Sequence, residues 1–282
     1  MKWQGRRGSR NIEDRRGRSV GRTGGIGGIG LILVLIIGWA LGIDVTPLLN
    51  EAGGQVQSGQ SAEITPADER AAQFASVTLA DTEEVWADIF ERQVGERYNP
   101  PVLVLFKGVT QSACGGASAA TGPFYCPPER KACLDTAFFT TLERRLGAGG
   151  DFAAAYVIAH EVAHHVQNEL GILGQVNRMR AQSSQEQSNA LSVRIELQAD
   201  CYSGIWARAV QQKFSTLEPG DLEEAVNAAR SIGDDTLQRN AGQRVQPHTF
   251  THGTSEQRQR WFVRGLRSGD MRDCDTFSAS QL

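Results

Sequence analysis

The segment Ala159-His160-Glu161-Val162-Ala163-His164-His165, near the middle of the 282-residue chain, constrains the fold more than any other feature of the sequence. On a helical period His160 and His164 lie one turn apart on the same face, so their imidazoles can converge on one metal ion. Glu161 is rotated by about 100° from His160, and its carboxylate can act as a general base on water activated by zinc. The spacing therefore predicts a zinc site built on a helix.

The residues that precede this segment favour a buried helix. Residues 151–159 are apolar on most faces, whereas a solvated helix carries a polar face. Two imidazoles and a carboxylate in a buried helix need polar partners, and a metal ion would provide them. The alternative, a surface amphipathic helix with scattered histidines, fits these flanks less well.

A catalytic zinc ion needs a third protein ligand and keeps its fourth position for water. Glu196, 32 residues after His164, is a better candidate for this ligand than the remaining histidines, because it lies on a second, largely apolar helix. Asp200 lies one turn further along that helix and can hold a ligating histidine in its tautomer. The alternative for both carboxylates is an ordinary solvated acidic face.

Charge is distributed unevenly along the chain. Residues 1–22 carry eight basic and two acidic side chains, a net charge of +6, whereas the other 260 residues carry 21 basic and 30 acidic side chains, a net charge of −9. An acidic body gives no support to nucleic-acid binding.

Residues 23–43 form an uncharged stretch of 21 residues, which is long enough to cross a bilayer as a helix. A cleaved signal peptide is the alternative, but this apolar run is longer than usual and no clear Ala-x-Ala cleavage site follows it. With the basic residues on its N-terminal side, the positive-inside rule predicts a cytoplasmic N-terminus and a body outside the cytoplasmic membrane, periplasmic or extracellular.

Composition and periodicity divide the chain into a basic cytoplasmic arm (1–22), a transmembrane anchor (23–43), a flexible linker rich in Gly, Gln and Ser (44–67) and one globular domain (68–282). We predict an α+β domain, mostly helical with a small β-sheet. The predicted strands span residues 101–106, 123–128 and 131–135. The predicted helices span residues 81–90, 136–146, 151–170, 195–207, 221–231 and 255–266. Residues 175–190 are polar and predict a mobile helical or loop excursion over the site.

Four segments carry a resemblance to a known family. The metal motifs are similar to those of gluzincins, and the wider string resembles the bacterial putative neutral zinc metallopeptidase family. The matching segments are residues 122–127, 160–167, 196–204 and 250–258. The resemblance covers most of the chain and implies a zincin-like peptidase domain with His160, His164 and Glu196 as zinc ligands.

The resemblance also bears on the five cysteines. Cys133 stands where the family commonly has an aromatic residue, which makes it the candidate for an unpaired thiol. The hypothesis for the other four is that Cys114 pairs with Cys126 and Cys201 pairs with Cys274. Disulfides of this kind would need an oxidising compartment.

The segment around His252 is similar to one near the active site of membrane-associated gluzincins. This resemblance implies that His252 donates a hydrogen bond to the oxyanion of the reaction. A structural role at the start of the following helix is the alternative. His248 is interpreted as structural.

The function predicted from these observations is that of a membrane-anchored zinc endopeptidase, in which Glu161 is the general base. Its partners are a peptide or protein substrate and, through residues 23–43, a membrane. The substrate would pair with an edge of the strand at 102–106 or of the strand at 131–135. The alternatives are a non-catalytic zinc-containing envelope module that binds a partner, and a zinc amidase that acts on cell-wall peptides.

Overall fold

The computed structural model describes residues 1–17, 63–118 and 122–282. Within these ranges the protein is mostly helical with two small sheets, as the α+β prediction states. The strands are β1 (Ile12–Asp14), β2 (Val102–Phe106), β3 (Val109–Ser112), β4 (Gly115–Ser118), β5 (Phe124–Cys126) and β6 (Lys131–Asp135). The α-helices are α1 (Pro66–Ile89), α2 (Phe138–Leu146), α3 (Asp151–Glu169), α4 (Ile172–Arg180), α5 (Gln185–Phe214), α6 (Asp221–Ser231), α7 (Asp234–Asn240) and α8 (Ser255–Ser268). A π-helical turn (Phe90–Val94) extends α1, and 3₁₀ turns span Pro247–Thr249 and Met271–Cys274.

Helix α3, which carries the histidine pair, lies at the centre of the helical layer. It packs against α1, α5 and α6, and its side chains from Phe152 to Ala163 are all buried. The apolar flanks of the motif therefore face protein on every side, and the prediction of a buried helix is confirmed. A helix of this kind can hold polar side chains only where other side chains or an ion satisfy them.

The main sheet covers one side of this layer. Its strand order is β1-β2-β6-β5, in which the first three strands run parallel and β5 runs antiparallel to β6. Leu103, Leu105 and Leu134 point toward the helices and join the main core. The predicted strands at 102–106 and 131–135 are present, but both have neighbours on each side. The prediction that either offers a free edge to substrate is therefore wrong, and the strands at the two edges of the sheet are β1 and β5.

Two glycines let α8 approach α5 closely. A Cβ atom built on Gly265 would lie 1.8 Å from the carbonyl oxygen of Cys201, and one on Gly204 would lie 2.0 Å from that of Phe262. Because real Cβ atoms essentially never come within 3.0 Å of another group, no other residue fits at either position without a shift of the backbone. This contact sets the position of α8 beside the helix that carries Glu196.

The N-terminal segment is folded onto the domain. Strand β1 pairs in parallel with β2, with Glu13 opposite Val104, and Trp3 packs edge-on against Phe74 of α1. The prediction that residues 1–22 form a separate basic arm is wrong for residues 1–17. The basic charge of the segment suggested a free arm, but Arg6, Arg7 and Arg16 pair with acidic side chains of the domain.

Arg6 pairs with Asp81, and Arg7 pairs with Glu84, both on α1. Since residues 1–17 and the domain are in contact, they lie on the same side of any membrane. A single crossing between a cytoplasmic N-terminus and an external domain is not compatible with these contacts. The predicted anchor at 23–43 and most of the predicted linker at 44–67 lie outside the described residues. No helix in the described ranges is long and apolar enough to cross a membrane.

Three further segments differ from the predictions. Helix α1 begins at Pro66 rather than near residue 81, because Thr65 and Asp68 form a capping box before it. The predicted loop after residue 110 contains the hairpin β3–β4. The helix predicted from residue 195 begins at Gln185, because a second capping box, at Ser184, starts α5; with α4 continuing to Arg180, the excursion at 175–190 takes the helical form of the two that were predicted.

The cysteines form the two predicted pairs. Cys114 is bonded to Cys126, and Cys201 is bonded to Cys274, whereas Cys133 is a free, buried thiol in β6. The second bond joins α5, one residue after Asp200, to the C-terminal segment. That segment is therefore fastened beside the helix that carries Glu196.

Candidate metal centre

His160 and His164 lie one turn apart on α3, and their ring centroids are 4.8 Å apart. Both side chains are largely buried, with 7% and 13% of their surface exposed. The helical spacing thus brings the two imidazoles together at a site that is close to the protein surface but largely shielded from solvent.

Glu196 on α5 reaches both rings. Its Oε2 lies 3.0 Å from His160 Nε2, and its Oε1 lies 3.5 Å from His164 Nε2. One ligand atom from each of the three residues lies within 4.8 Å of the others. Zinc–ligand bonds of about 2.0–2.2 Å place tetrahedral ligand atoms about 3.3–3.6 Å apart. The donor set and its spacing therefore fit zinc.

Asp200 lies directly behind His160. Its Oδ1 is 3.0 Å from His160 Nδ1, although the ring N–H is not aligned for a directed hydrogen bond. Tyr156 Oη donates to Oδ1 at 2.5 Å, and the Arg258 guanidinium donates to both carboxylate oxygens, at 2.9 and 3.0 Å. Asp200 is wholly buried, so its charge depends on these partners. The carboxylate holds His160 with Nε2 directed at Glu196.

The charges of the centre shift its pKa values in opposite directions. Burial alone would raise the pKa of Glu196, but the neighbouring His164 and His160 hold it well below its usual range. Burial alone would lower the pKa of His160, but the adjacent carboxylates of Asp200 and Glu196 raise it to about 9. A proton held by His160 must leave before a metal ion can bind there, so metal binding releases protons.

Glu161 stands apart from this network. It is buried, and burial raises the pKa of its carboxyl group above the usual range, while the nearby His164 and His160 act in the opposite sense. In the described part of the chain no hydrogen bond restrains its carboxylate. An unrestrained carboxylate with a raised pKa, beside two metal-binding histidines, has the properties of a general base that works near neutral pH.

His252 lies in the loop before α8, within electrostatic reach of Glu196. Asp234, at the start of α7, accepts from the backbone N–H groups of residues 251–253 and lies 3.1 Å from His252 Nδ1. About half of the imidazole surface is exposed, and burial of the remainder lowers its pKa less than Asp234 and Glu196 raise it. The structure thus places a histidine with an acidic partner within electrostatic reach of Glu196.

His165 points away from the centre, on a different face of α3 from His160 and His164. Its Nδ1 accepts from Tyr125 Oη at 2.9 Å, and its Nε2 donates to the carbonyl of Asn99 at 2.6 Å. Burial lowers the pKa of His165, so the ring is held neutral. It fastens β5 to the helix that carries the histidine pair. His248 lies in the 3₁₀ turn Pro247–Thr249, where its carbonyl accepts from Asn189.

Several residues of the centre were missed by reasoning from the sequence. Tyr156 lies one turn before His160, and Arg258 breaks the apolar face of α8, so helical periodicity offered a signal for both. Asp234 gave no signal, because a carboxylate that orders a loop 17 residues later looks like any surface acid.

Comparison with known proteins shows the family of the chain. The model of the family described as "putative neutral zinc metallopeptidase" matches residues 1–277. The chain belongs to this family. Relatives of this metallopeptidase family include "Uncharacterized protein YpfJ" of Escherichia coli strain K12, which is 47% identical over 290 residues, covering 99% of this chain and all of the relative. "Uncharacterized protein Rv2575" of Mycobacterium tuberculosis is 46% identical over 195 residues, 66% of this chain and 65% of the relative. No solved structure matches the chain.

Proposed function

We propose that the protein is a zinc-dependent endopeptidase. The observation that carries the proposal is the ligand set: among the described residues the centre offers three protein ligands rather than four. Structural zinc sites are normally closed by four protein ligands, whereas catalytic sites keep one position open. Glu161, which a structural site would not need, lies within electrostatic reach of both histidines of this set.

The chemistry divides between the ion and the side chains. A zinc ion held by His160, His164 and Glu196 would supply Lewis acidity, which acidifies water and polarises a peptide carbonyl. Glu161 removes the proton of the attacking water and passes it to the nitrogen of the leaving amine. Its raised pKa suits both steps, because the group must accept a proton and then release it.

His252 would stabilise the negative charge that develops on the carbonyl oxygen. The raised pKa of His252 favours the protonated ring, in which Nδ1–H donates to Asp234 at 3.1 Å and Nε2–H is left to donate to the oxyanion. A donor positioned before the reaction begins can contribute a factor of about 10²–10³ to the rate. Asp234 acts here as the positioning residue for His252.

Strand β5 is the proposed docking edge for substrate. It ends the main sheet and packs against α3, and Tyr125 ties it to His165 on that helix. An extended peptide that adds to this edge would form main-chain hydrogen bonds beside the centre, which favours cleavage within a chain.

Location is a separate part of the proposal. The two disulfides of the described residues favour an oxidising compartment, and hence action outside the cytoplasm. Attachment to a membrane through residues 23–43 stays a prediction. In that case residues 1–17 and the domain would lie on the same side of the membrane, because they are in contact.

The test is cleavage of a broad peptide library and of an unfolded protein by the zinc-loaded wild type and by Glu161→Gln. We expect the wild type to cleave, and the variant to bind zinc equally but lose cleavage by a factor of at least about 10². Glu223→Gln, an exposed change on α6, serves as the matched control and should cleave like the wild type.

Two outcomes would contradict the proposal. A zinc-loaded wild type that cleaves no peptide would favour the envelope binding module. Cleavage confined to cell-wall peptides would favour the amidase.

A further inference from the structure

A chain of buried side-chain amides runs from His164 toward the C-terminus. His164 Nδ1 lies 2.9 Å from Gln167 Oε1. Gln167 Nε2 donates to the carbonyl of Ile195 at 2.8 Å and to Gln198 Oε1 at 3.0 Å. Gln167 is wholly buried and Gln198 nearly so, which means that each amide depends on these partners for all its hydrogen bonds.

The chain ends on the backbone of the C-terminal segment. Gln198 Nε2 donates to the carbonyl of Cys274 at 3.1 Å. That carbonyl is held in place by the disulfide between Cys274 and Cys201, and by Thr276 Oγ1, which donates to the carbonyl of Arg194 at 2.7 Å. The C-terminal segment is therefore attached to α5 on both sides of Gln198.

The direction of these hydrogen bonds is fixed by their ends. A backbone carbonyl can only accept, so Gln198 must present its NH₂ group to Cys274 and its oxygen to Gln167. Gln167 must likewise present its NH₂ group to Gln198 and to the carbonyl of Ile195, and so its oxygen faces His164. That oxygen can only accept, so Nδ1 of His164 must carry the proton.

We propose that Gln167 and Gln198 are positioning residues for the metal ligand His164, and that the disulfide-bonded C-terminal segment fixes their orientation. The inference rests on the zinc site proposed above. The chain of hydrogen bonds from His164 through Gln167 and Gln198 to Cys274, here called the relay, holds the proton on Nδ1 of His164. It leaves the Nε2 lone pair facing Glu196, where the ion would bind. It serves His164 as Asp200 serves His160, with neutral amides in place of a carboxylate.

The first test needs no substitution. In zinc-loaded protein with ¹⁵N-labelled histidine, nuclear magnetic resonance should show His164 coordinated through Nε2, with an Nδ1–H proton that exchanges slowly with solvent. Coordination through Nδ1, or an Nδ1–H that exchanges as fast as that of an exposed histidine, would overturn the proposal. If the two glutamines had only a structural role, they would determine neither the coordinating nitrogen of His164 nor the exchange rate of its Nδ1–H.

The second test is zinc affinity, measured by competition with a chromophoric chelator. Gln167→Leu should weaken zinc binding by about tenfold, and Gln198→Leu by a smaller factor. Gln167→Glu keeps an acceptor for Nδ1–H, so it should retain more affinity than Gln167→Leu. A role in packing alone predicts the reverse, because glutamate cannot donate to Ile195 or Gln198.

The disulfide provides a matched pair of variants. Removal of Cys201 and Cys274 by alanine should weaken zinc binding, and should add little when Gln198→Leu is already present. Removal of Cys114 and Cys126 by alanine leaves the relay intact and should not change zinc affinity. If Gln167→Leu and Gln198→Leu bind zinc like the wild type, the proposed positioning role of the two glutamines is wrong, but the zinc site is unaffected. If the wild type binds no zinc, the proposed function falls as well.

Discussion

Arg258 is the largest buried charge near the metal centre, with 1% of its surface exposed. Its guanidinium binds both oxygens of Asp200, and its Nη2 also lies 3.3 Å from Tyr156 Oη. Burial alone would lower the pKa of Arg258, but the charge of Asp200 raises it, so the pair remains ionised. The position of His160 therefore depends on a cation that belongs to a different helix.

We expect Arg258→Lys to weaken zinc binding and to lower the free energy of unfolding by about 2 kcal/mol or more. Lysine keeps the charge but cannot reproduce the two parallel hydrogen bonds of the guanidinium fork. Chemical denaturation and chelator competition provide the two measurements. Arg267→Lys, an exposed change on the same helix, is the control. Equal behaviour of the two variants would show that the fork has no role.

We expect His252→Ala to lower kcat by about 10²–10³ while zinc affinity stays unchanged, because the ring acts on the reaction and not on the ion. Asp234→Asn should cause a smaller loss of kcat, since the ring remains but its orientation is less restricted. Steady-state kinetics with a peptide found in the library test, together with chelator competition, measures both effects. If folded His252→Ala turned over substrate at the normal rate, His252 would have only a structural role.

The residues that the sequence predicted are those governed by helical periodicity. His160, His164, Glu196 and Asp200 lie on two helices whose faces can be derived from spacing alone, and the structure brings all four together. Asp234 and the amide chain through Gln198 depend on contacts between distant segments, which no local pattern contains. Strand β1 was missed for the same reason: its partner β2 lies about 90 residues further along the chain.

At the scale of elements, the close packing of α5 and α8 connects the ligand helix to Arg258 and His252. We expect Gly265→Ala to destabilise the protein by on the order of 2–4 kcal/mol, because its Cβ would overlap the carbonyl of Cys201. Thermal and chemical denaturation measure the effect. Gly174→Ala on α4, where the nearest atom is 3.7 Å from the new Cβ, should be neutral or slightly stabilising. A Gly265→Ala protein as stable as the wild type would contradict this packing.

At the scale of the whole molecule, Asp68 joins three separate elements. It accepts from Thr65 at the start of α1, pairs with Lys107 after β2, and accepts from Thr136 after β6. Burial alone would raise the pKa of Asp68, but these partners hold it below its usual value of 3.8. Its contribution to stability is therefore fully present above about pH 4 and is lost as the pH falls through the depressed value.

We expect Asp68→Asn to lower the free energy of unfolding by on the order of 2–3 kcal/mol at neutral pH. The difference from the wild type should stay constant from about pH 5 to 8 and shrink below about pH 4. Denaturation series across this range measure it. Glu69→Gln removes only an exposed contact with Arg16 and should have little effect at any pH. A difference that grew on acidification would contradict this assignment.

The contact between residues 1–17 and the domain makes a prediction about topology in cells. Cysteines introduced separately at Lys2 and Glu186, both exposed, should react equally with a membrane-impermeant maleimide. The native cysteines do not interfere, because four are paired and Cys133 is buried. Labelling of one position and protection of the other would contradict the contact between residues 1–17 and the domain, and would favour a single membrane crossing between them.

The central claim is that one zinc ion binds His160, His164 and Glu196 in a site with an open position beside Glu161. Anomalous scattering at the zinc absorption edge, from crystals of the zinc-loaded protein, tests it most directly. We predict one strong peak within about 2.0–2.2 Å of His160 Nε2, His164 Nε2 and a Glu196 oxygen, with a solvent molecule completing the shell. A peak elsewhere, or a fourth protein ligand in the open position, would contradict it.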